Sequence, residues 1–183
     1  FALSGDFNLM NARAAMAAAE VLGVSREVAL RALAKVKGIP GRIERIEEGQ
    51  PFTVIVDYAT DPVSMGKLYE VAEQLPHRRI IHVLGSAGGG RDVSRRPILG
   101  RIAGENAEVV IVTNEDPYNE DPQKIIDDVV KGAEDLRLRI SLRTNGRDLR
   151  LKEVYKILDR REAIQKALSM AQPATADAER NEA

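Results

Sequence analysis

The sequence contains no cysteine. That excludes disulfides and thiolate metal sites, and it fits a reducing cytoplasm. Charge excess is missing as well: 27 basic against 28 acidic residues leave a formal net charge of −1. A general nucleic-acid binder would carry a basic excess, so no nucleic-acid partner is expected. No apolar run reaches the length of a membrane span and no signal peptide opens the chain, so no membrane partner is expected either. The two histidines, His77 and His82, have no partner at metal-ligand spacing and read as structural. There is no G-K-[ST] phosphate loop. The first residue is Phe1 rather than Met, which a processed chain or a partial reading frame would both explain.

What remains is a chain of 183 residues, 44% hydrophobic, enough for one globular core or one domain plus a piece of another. Residues 9–22 read as an alanine-dense helix stopped by Gly23, and Ser25 caps a second helix over 26–36. Gly38 to Gly41, around Pro40, form a break and a domain boundary. Beyond it, apolar runs at 53–58, 79–85 and 108–113 read as strands. They alternate with helices over 64–75, 94–106 and 122–135. A weaker strand signal lies in 138–143, a short strand in 154–158 and a last helix in 160–171. Strands of β-branched residues separated by helices predict an α/β fold, a Rossmann-like, mostly parallel sheet with helices on both faces. Ligands of such sheets collect at the carboxyl ends of the strands, where Asp57, Gly85 to Asp92 and Thr113 to Tyr118 fall. The tail, 172–183, is polar and aperiodic and reads as disordered.

Several residues carry candidate chemistry, each beside a plainer reading. Asn8 and Asn11 are three apart, so both can lie on one helix face. Their amides offer the donor and acceptor that suit an adenine edge, unless Asn8 is only an N-cap. Arg42, just past the break, can reach a nucleotide held between domains, or can simply pair with Glu44. Asp57 ends an apolar strand and is placed for a ribose hydroxyl or a cation, or else caps the next turn. Gly85, Gly88, Gly89 and Gly90 follow a strand and permit close backbone approach to a ligand. Their spacing is neither a dinucleotide fingerprint opening a helix nor a P-loop.

In order, the phrases GDFNLMNARAA, GRIE, VIVDYATDP, VLGSAGGGRDVSRRP and TNEDPYNEDP resemble the C-terminal part of the Mur ligases. The nearest branch is the one that adds the third residue of the peptidoglycan stem peptide, the UDP-N-acetylmuramoyl-tripeptide synthetases. The resemblance covers about residues 4–171. It implies a division into 1–40, the last helices of a central ATPase domain, and 41–171, the C-terminal domain. It also implies a cytoplasmic, monomeric, ATP-dependent amide-forming ligase of cell-wall biogenesis, working through an acyl phosphate. Asn8, Asn11, Arg42 and Asp57 would then face ATP. Arg91 would grip the carboxylate of the incoming amino acid, a pairing that bidentate arginine makes well. Magnesium would be bound mainly by the central domain, so no metal ligand and no catalytic residue is assigned here. No turnover is expected from this stretch alone.

The sequence departs from the family pattern in places. The usual D-Y-A-H-T-P is here Asp57-Tyr58-Ala59-Thr60-Asp61-Pro62. The glycine-rich loop is one residue longer, with Gly90 in place of its first acid. The family's D-N-P-R, whose arginine recognises the far end of diaminopimelate, is here Glu115-Asp116-Pro117-Tyr118. Without that arginine and with an extra acid, the pocket favours lysine over diaminopimelate as the diamino acid joined to the UDP-N-acetylmuramoyl-dipeptide. The acids could instead only cap the next turn. Two other readings stay open: a folylpolyglutamate- or cyanophycin-type ligase, and a non-catalytic Rossmann-like module that binds a nucleotide or amino acid.

Overall fold

A computed structural model describes residues 5–144 and 150–172, with side chains for 5–135 and 150–172. The tail expected to be disordered lies outside the described residues, apart from Gln172.

The chain opens with α1 (Asp6–Val21) and α2 (Arg26–Ala34), which pack on each other. Ser25 caps α2 as its sequence predicts, accepting from the Val28 N–H. A short hairpin follows, β1 (Glu44–Ile46) and β2 (Val54–Val56), paired antiparallel with Arg45 opposite Ile55. Gln50 builds its loop, accepting from Glu48 N–H at 2.7 Å and donating to the Ile46 carbonyl at 2.6 Å. This corrects the expectation for 53–58. The strand exists, but it pairs with β1 rather than joining the parallel sheet. A partner a few residues upstream costs little loop entropy, and the charged E-R-I run hid that partner from the apolar pattern.

The parallel sheet has the order β3-β4-β5, with β3 at Ile81–Leu84, β4 at Val109–Thr113 and β5 at Glu153–Ile157. β4 is central and buried along its whole length, as an unbroken V-V-I-V-T run requires. Its side chains alternate between two cores. Val110 and Val112 join Met65, Leu84, Leu99, Ile126 and Val129 on one face, while Val109 and Ile111 meet Ala163 on the other. The first core is covered by α3 (Pro62–Glu73), α4 (Arg95–Asn106) and α5 (Pro122–Thr144), the second by α6 (Arg160–Ala171). Helices therefore lie on both faces of a parallel sheet, the expected class.

A second correction concerns 138–143, which is helix within α5 rather than strand. The alternation L-R-L-R-I-S-L looks like a strand of period two. Leucine and arginine are nevertheless strong helix formers, and extending an existing helix carries no nucleation cost.

Candidate functional site

Two loops leave the carboxyl ends of β3 and β4 and lock together. Gly88 N–H donates to the Asp116 carbonyl at 2.9 Å. A Cβ at Gly88 would stand 2.3 Å from the Pro117 carbonyl oxygen, and one at Gly89 would stand 2.6 Å from the Tyr118 ring. The glycines thus admit a neighbouring loop of the same chain, not only a ligand. Gly85 is likewise pressed against Thr113, while Gly90 faces open space with φ +77°. Tyr118 is itself left-handed at φ 52°, an uncommon conformation for a bulky residue and one that marks a constrained loop.

Beneath the loops, Arg96 is 1% exposed. It donates to Glu120 at 2.8 Å and to Asp128 at 3.1 Å. Burial opposes its charge, but the bonds it donates to Glu120 and Asp128 outweigh that and raise its pKa further. Glu120 in turn is held below the usual glutamate range, first by Arg96, with smaller help from the Gly90 and Gly89 backbone N–H groups. Arg96 lies within the phrase VLGSAGGGRDVSRRP, but no sequence pattern gives it a role or marks Glu120 and Asp128 as its partners. Their signal was slight, since the partners stand 24 and 32 residues from Arg96.

On this base the predicted substrate residues are presented outward. Arg91, Asp116 and Tyr118 are exposed and Glu115 is half-buried. Asp92 accepts from Ser94 N–H at 2.9 Å and from Ser94 Oγ at 2.7 Å, fixing the entry to α4. From α6, Arg160 donates to the Asn114 carbonyl at 3.3 Å, and Asp159 caps that helix through Glu162 N–H at 2.9 Å.

The predicted nucleotide residues fall in two places, Arg42 and Asp57 at one turn and Asn8 and Asn11 on α1. Ile43 N–H donates to Asp57 Oδ2 at 2.7 Å, and Gly41 N–H donates to Glu44 Oε2 at 2.8 Å. Both Gly41 and Ile43 are left-handed, so the two carboxylates hold a strained turn between them. Arg42 projects from it, exposed, with its guanidinium 5.6 Å from the Tyr58 ring centroid. Glu44 thus serves the backbone of the turn. The next helix is capped by Asp61, which takes Val63 and Ser64 N–H at 2.9 and 3.0 Å, and not by Asp57. Asn8 is buried and Asn11 exposed on α1. Gly5 holds the N-cap position, which removes the N-cap reading of Asn8.

Among the described residues, no group of three or more His, Asp or Glu side chains is arranged to hold a metal ion. Nor is any described helix long and apolar enough to cross a membrane.

Known proteins resemble this chain in sequence and fold. A UDP-N-acetylmuramyl-tripeptide synthetase of Roseiflexus sp. (strain RS-1) is 49% identical over 138 residues, 75% of this chain and 27% of that protein. A solved UDP-N-acetylmuramoyl-L-alanyl-D-glutamate--2,6-diaminopimelate ligase superposes with a TM-score of 0.58 at 30% identity, over 94% of this chain and 33% of its own. The folylpolyglutamate synthase of Mycobacterium tuberculosis shares the fold with a TM-score of 0.65 at 24% identity, over 92% of this chain and 34% of its own. The chain thus spans about a quarter to a third of the length of these relatives. The family described as "Mur ligase, glutamate ligase domain" matches residues 41–177, most of the chain, and the chain belongs to that family.

Proposed function

We propose that the chain supplies the amino-acid pocket and nucleotide lid of a ligase that joins a diamino acid to a UDP-N-acetylmuramoyl-dipeptide. The observation that carries this reading is the locked pair of loops, which leaves Arg91, Asp116 and Tyr118 exposed above a buried Arg96 anchor. In this reading residues 1–40 belong with a preceding ATPase domain and 41–171 form the substrate domain, working in the cytoplasm.

Arg91 binds the α-carboxylate of the amino acid through charge-assisted hydrogen bonds. Glu115 and Asp116 face the far end of the substrate, and their negative charge selects a cationic terminus over a second carboxylate. Lysine is therefore the preferred substrate over diaminopimelate. Arg42, steadied by Tyr58 and presented on the turn that Asp57 and Glu44 hold, contacts ATP together with Asn8 and Asn11. ATP supplies the phosphoryl group that activates the peptide carboxylate. Magnesium is held by the preceding domain. The chain alone turns over no ATP.

The test replaces the matched stretch of the Roseiflexus synthetase with residues of this chain and follows ADP release with each amino acid. Lysine-dependent release, with Arg91→Ala raising KM for lysine by about 10–100-fold, is expected. Release that depends on diaminopimelate, or is indifferent to Arg91→Ala, would overturn the assignment.

A further inference from the structure

The two loops at the carboxyl edge of the sheet are pinned to each other at two points. One pin is backbone: Gly88 N–H donates to the Asp116 carbonyl at 2.9 Å. The other is an ion pair: Arg96 Nη2 donates to Glu120 Oε2 at 2.8 Å. Arg96 is not free to follow a moving loop. It is 1% exposed, and its Nη1 donates to Asp128 of α5 at 3.1 Å. Each pin also stands in a turn with bonds of its own. Arg96 N–H donates to the Val93 carbonyl at 3.1 Å, and Asp92 accepts from Ser94 N–H at 2.9 Å, so Arg91 opens a fixed run that ends at Arg96. Glu120 N–H donates to the Pro117 carbonyl at 3.0 Å. Its carboxylate lies against the first loop, since a Cβ at Gly88 would stand 3.0 Å from Oε1. Sliding one loop along the other would break a charge-assisted bond to a buried arginine.

We infer that the Arg96–Glu120 pair acts as a ruler: it fixes the span between Arg91 and the Glu115–Tyr118 loop, and so sets the side-chain length of the amino acid accepted between them. The inference rests on the amino-acid pocket proposed above and adds selection by length to selection by charge. Arg96 and Glu120 touch no substrate; they are positioning residues. A substrate with a carboxylate at one end and a cation at the other has to reach from one loop to the other. With the loops pinned, one methylene fewer leaves its ammonium short of the acids.

The test uses the whole chain and two readouts, one of them without substrate. Amide hydrogen exchange is followed by NMR in the unliganded chain. Lysine and ornithine, one methylene shorter, are then titrated separately. The unsubstituted chain should prefer lysine by about 10-fold. Glu120→Asp keeps the charge but shortens the reach to Arg96. It should speed exchange of the Gly88 amide by about 10-fold, with the β4 amides still protected, and bring the two amino acids close to equal affinity. Should Glu120→Asp fail to fold, Glu120→Gln keeps the reach and removes the charge, and it should move both readouts the same way. Asp61→Ala, which uncaps α3, should move neither. Unchanged Gly88 exchange on substitution of Glu120, or an unchanged lysine preference once Gly88 is released, would overturn the inference. An unsubstituted chain that binds neither amino acid would overturn the pocket and the ruler's use together, while faster Gly88 exchange would still show that the pair holds the loops.

Discussion

Replacing Gly100 with alanine should destabilise the chain even though it improves helix propensity. α4 and α5 cross with their backbones nearly touching, and a glycine from each helix makes this possible. A Cβ at Gly100 would stand 1.8 Å from the Val129 carbonyl oxygen and 2.9 Å from its carbon. The relation is reciprocal, because a Cβ at Gly132 would stand 1.8 Å from the Pro97 carbonyl oxygen and 2.9 Å from Arg101 N. Reaching ordinary contact would require the helices to part by roughly 1.5 Å. Both neighbours are backbone, so no side chain can rotate away. Overpacking of this kind costs about 3 kcal/mol. The alanine returns about 1 kcal/mol of helix propensity. Parting the helices also loosens Leu99, Ala103, Val129 and Ala133, which share one core. The net loss should be about 2 kcal/mol or more, or roughly 4–8 °C in Tm for a chain of this size. Urea unfolding followed by circular dichroism would measure it. The double variant Gly100→Ala, Gly132→Ala should lose less than the sum of the singles, since both act on one crossing. A Gly100→Ala chain as stable as the parent would refute the reasoning, because helix propensity would then have won.

Two further predictions concern stability. Asp61 caps α3 through Val63 and Ser64 N–H, so Asp61→Ala should cost about 1 kcal/mol and Asp61→Thr much less, by urea unfolding. His82 is packed edge-on against Tyr69, with Nδ1 2.5 Å from the phenol oxygen, and burial lowers its pKa from 6.5 to about 4. Between those values the unfolded chain takes up a proton that the folded chain refuses. Stability should therefore be full above pH 6.5 and fall by on the order of 3 kcal/mol as pH drops toward 4. Denaturation across that range should show a shallower slope in His82→Gln, which keeps an acceptor for Tyr69.

Much of this architecture was legible because burial writes itself as composition. V-V-I-V-T can only be a central strand, and glycine-rich and acidic runs directly after apolar strands placed both loops on one sheet edge. Other features left no local mark. β1 is three residues with charges at two of them, recognisable only beside β2. The L-R-L-R-I-S-L segment satisfies the strand period while its residue types favour the helix it joins. The Arg96 anchor depends on partners on a loop and a helix far along the chain, and no spacing rule spans such distances. The commitment of Asp57 to the Ile43 amide is equally tertiary. The sequence could nominate Arg42 and Asp57 together, but not that one helps hold the turn presenting the other.

The exposed surface above the Arg96 anchor should take an amino acid. The most direct measurement is a titration of the isotope-labelled chain with lysine and with meso-diaminopimelate, followed by amide NMR. Lysine should shift the resonances of Arg91 and of Glu115 to Tyr118 more strongly than diaminopimelate does, and Arg91→Ala should abolish the response. Shifts confined to other regions, or none with either amino acid at concentrations near saturation for the relatives, would contradict it.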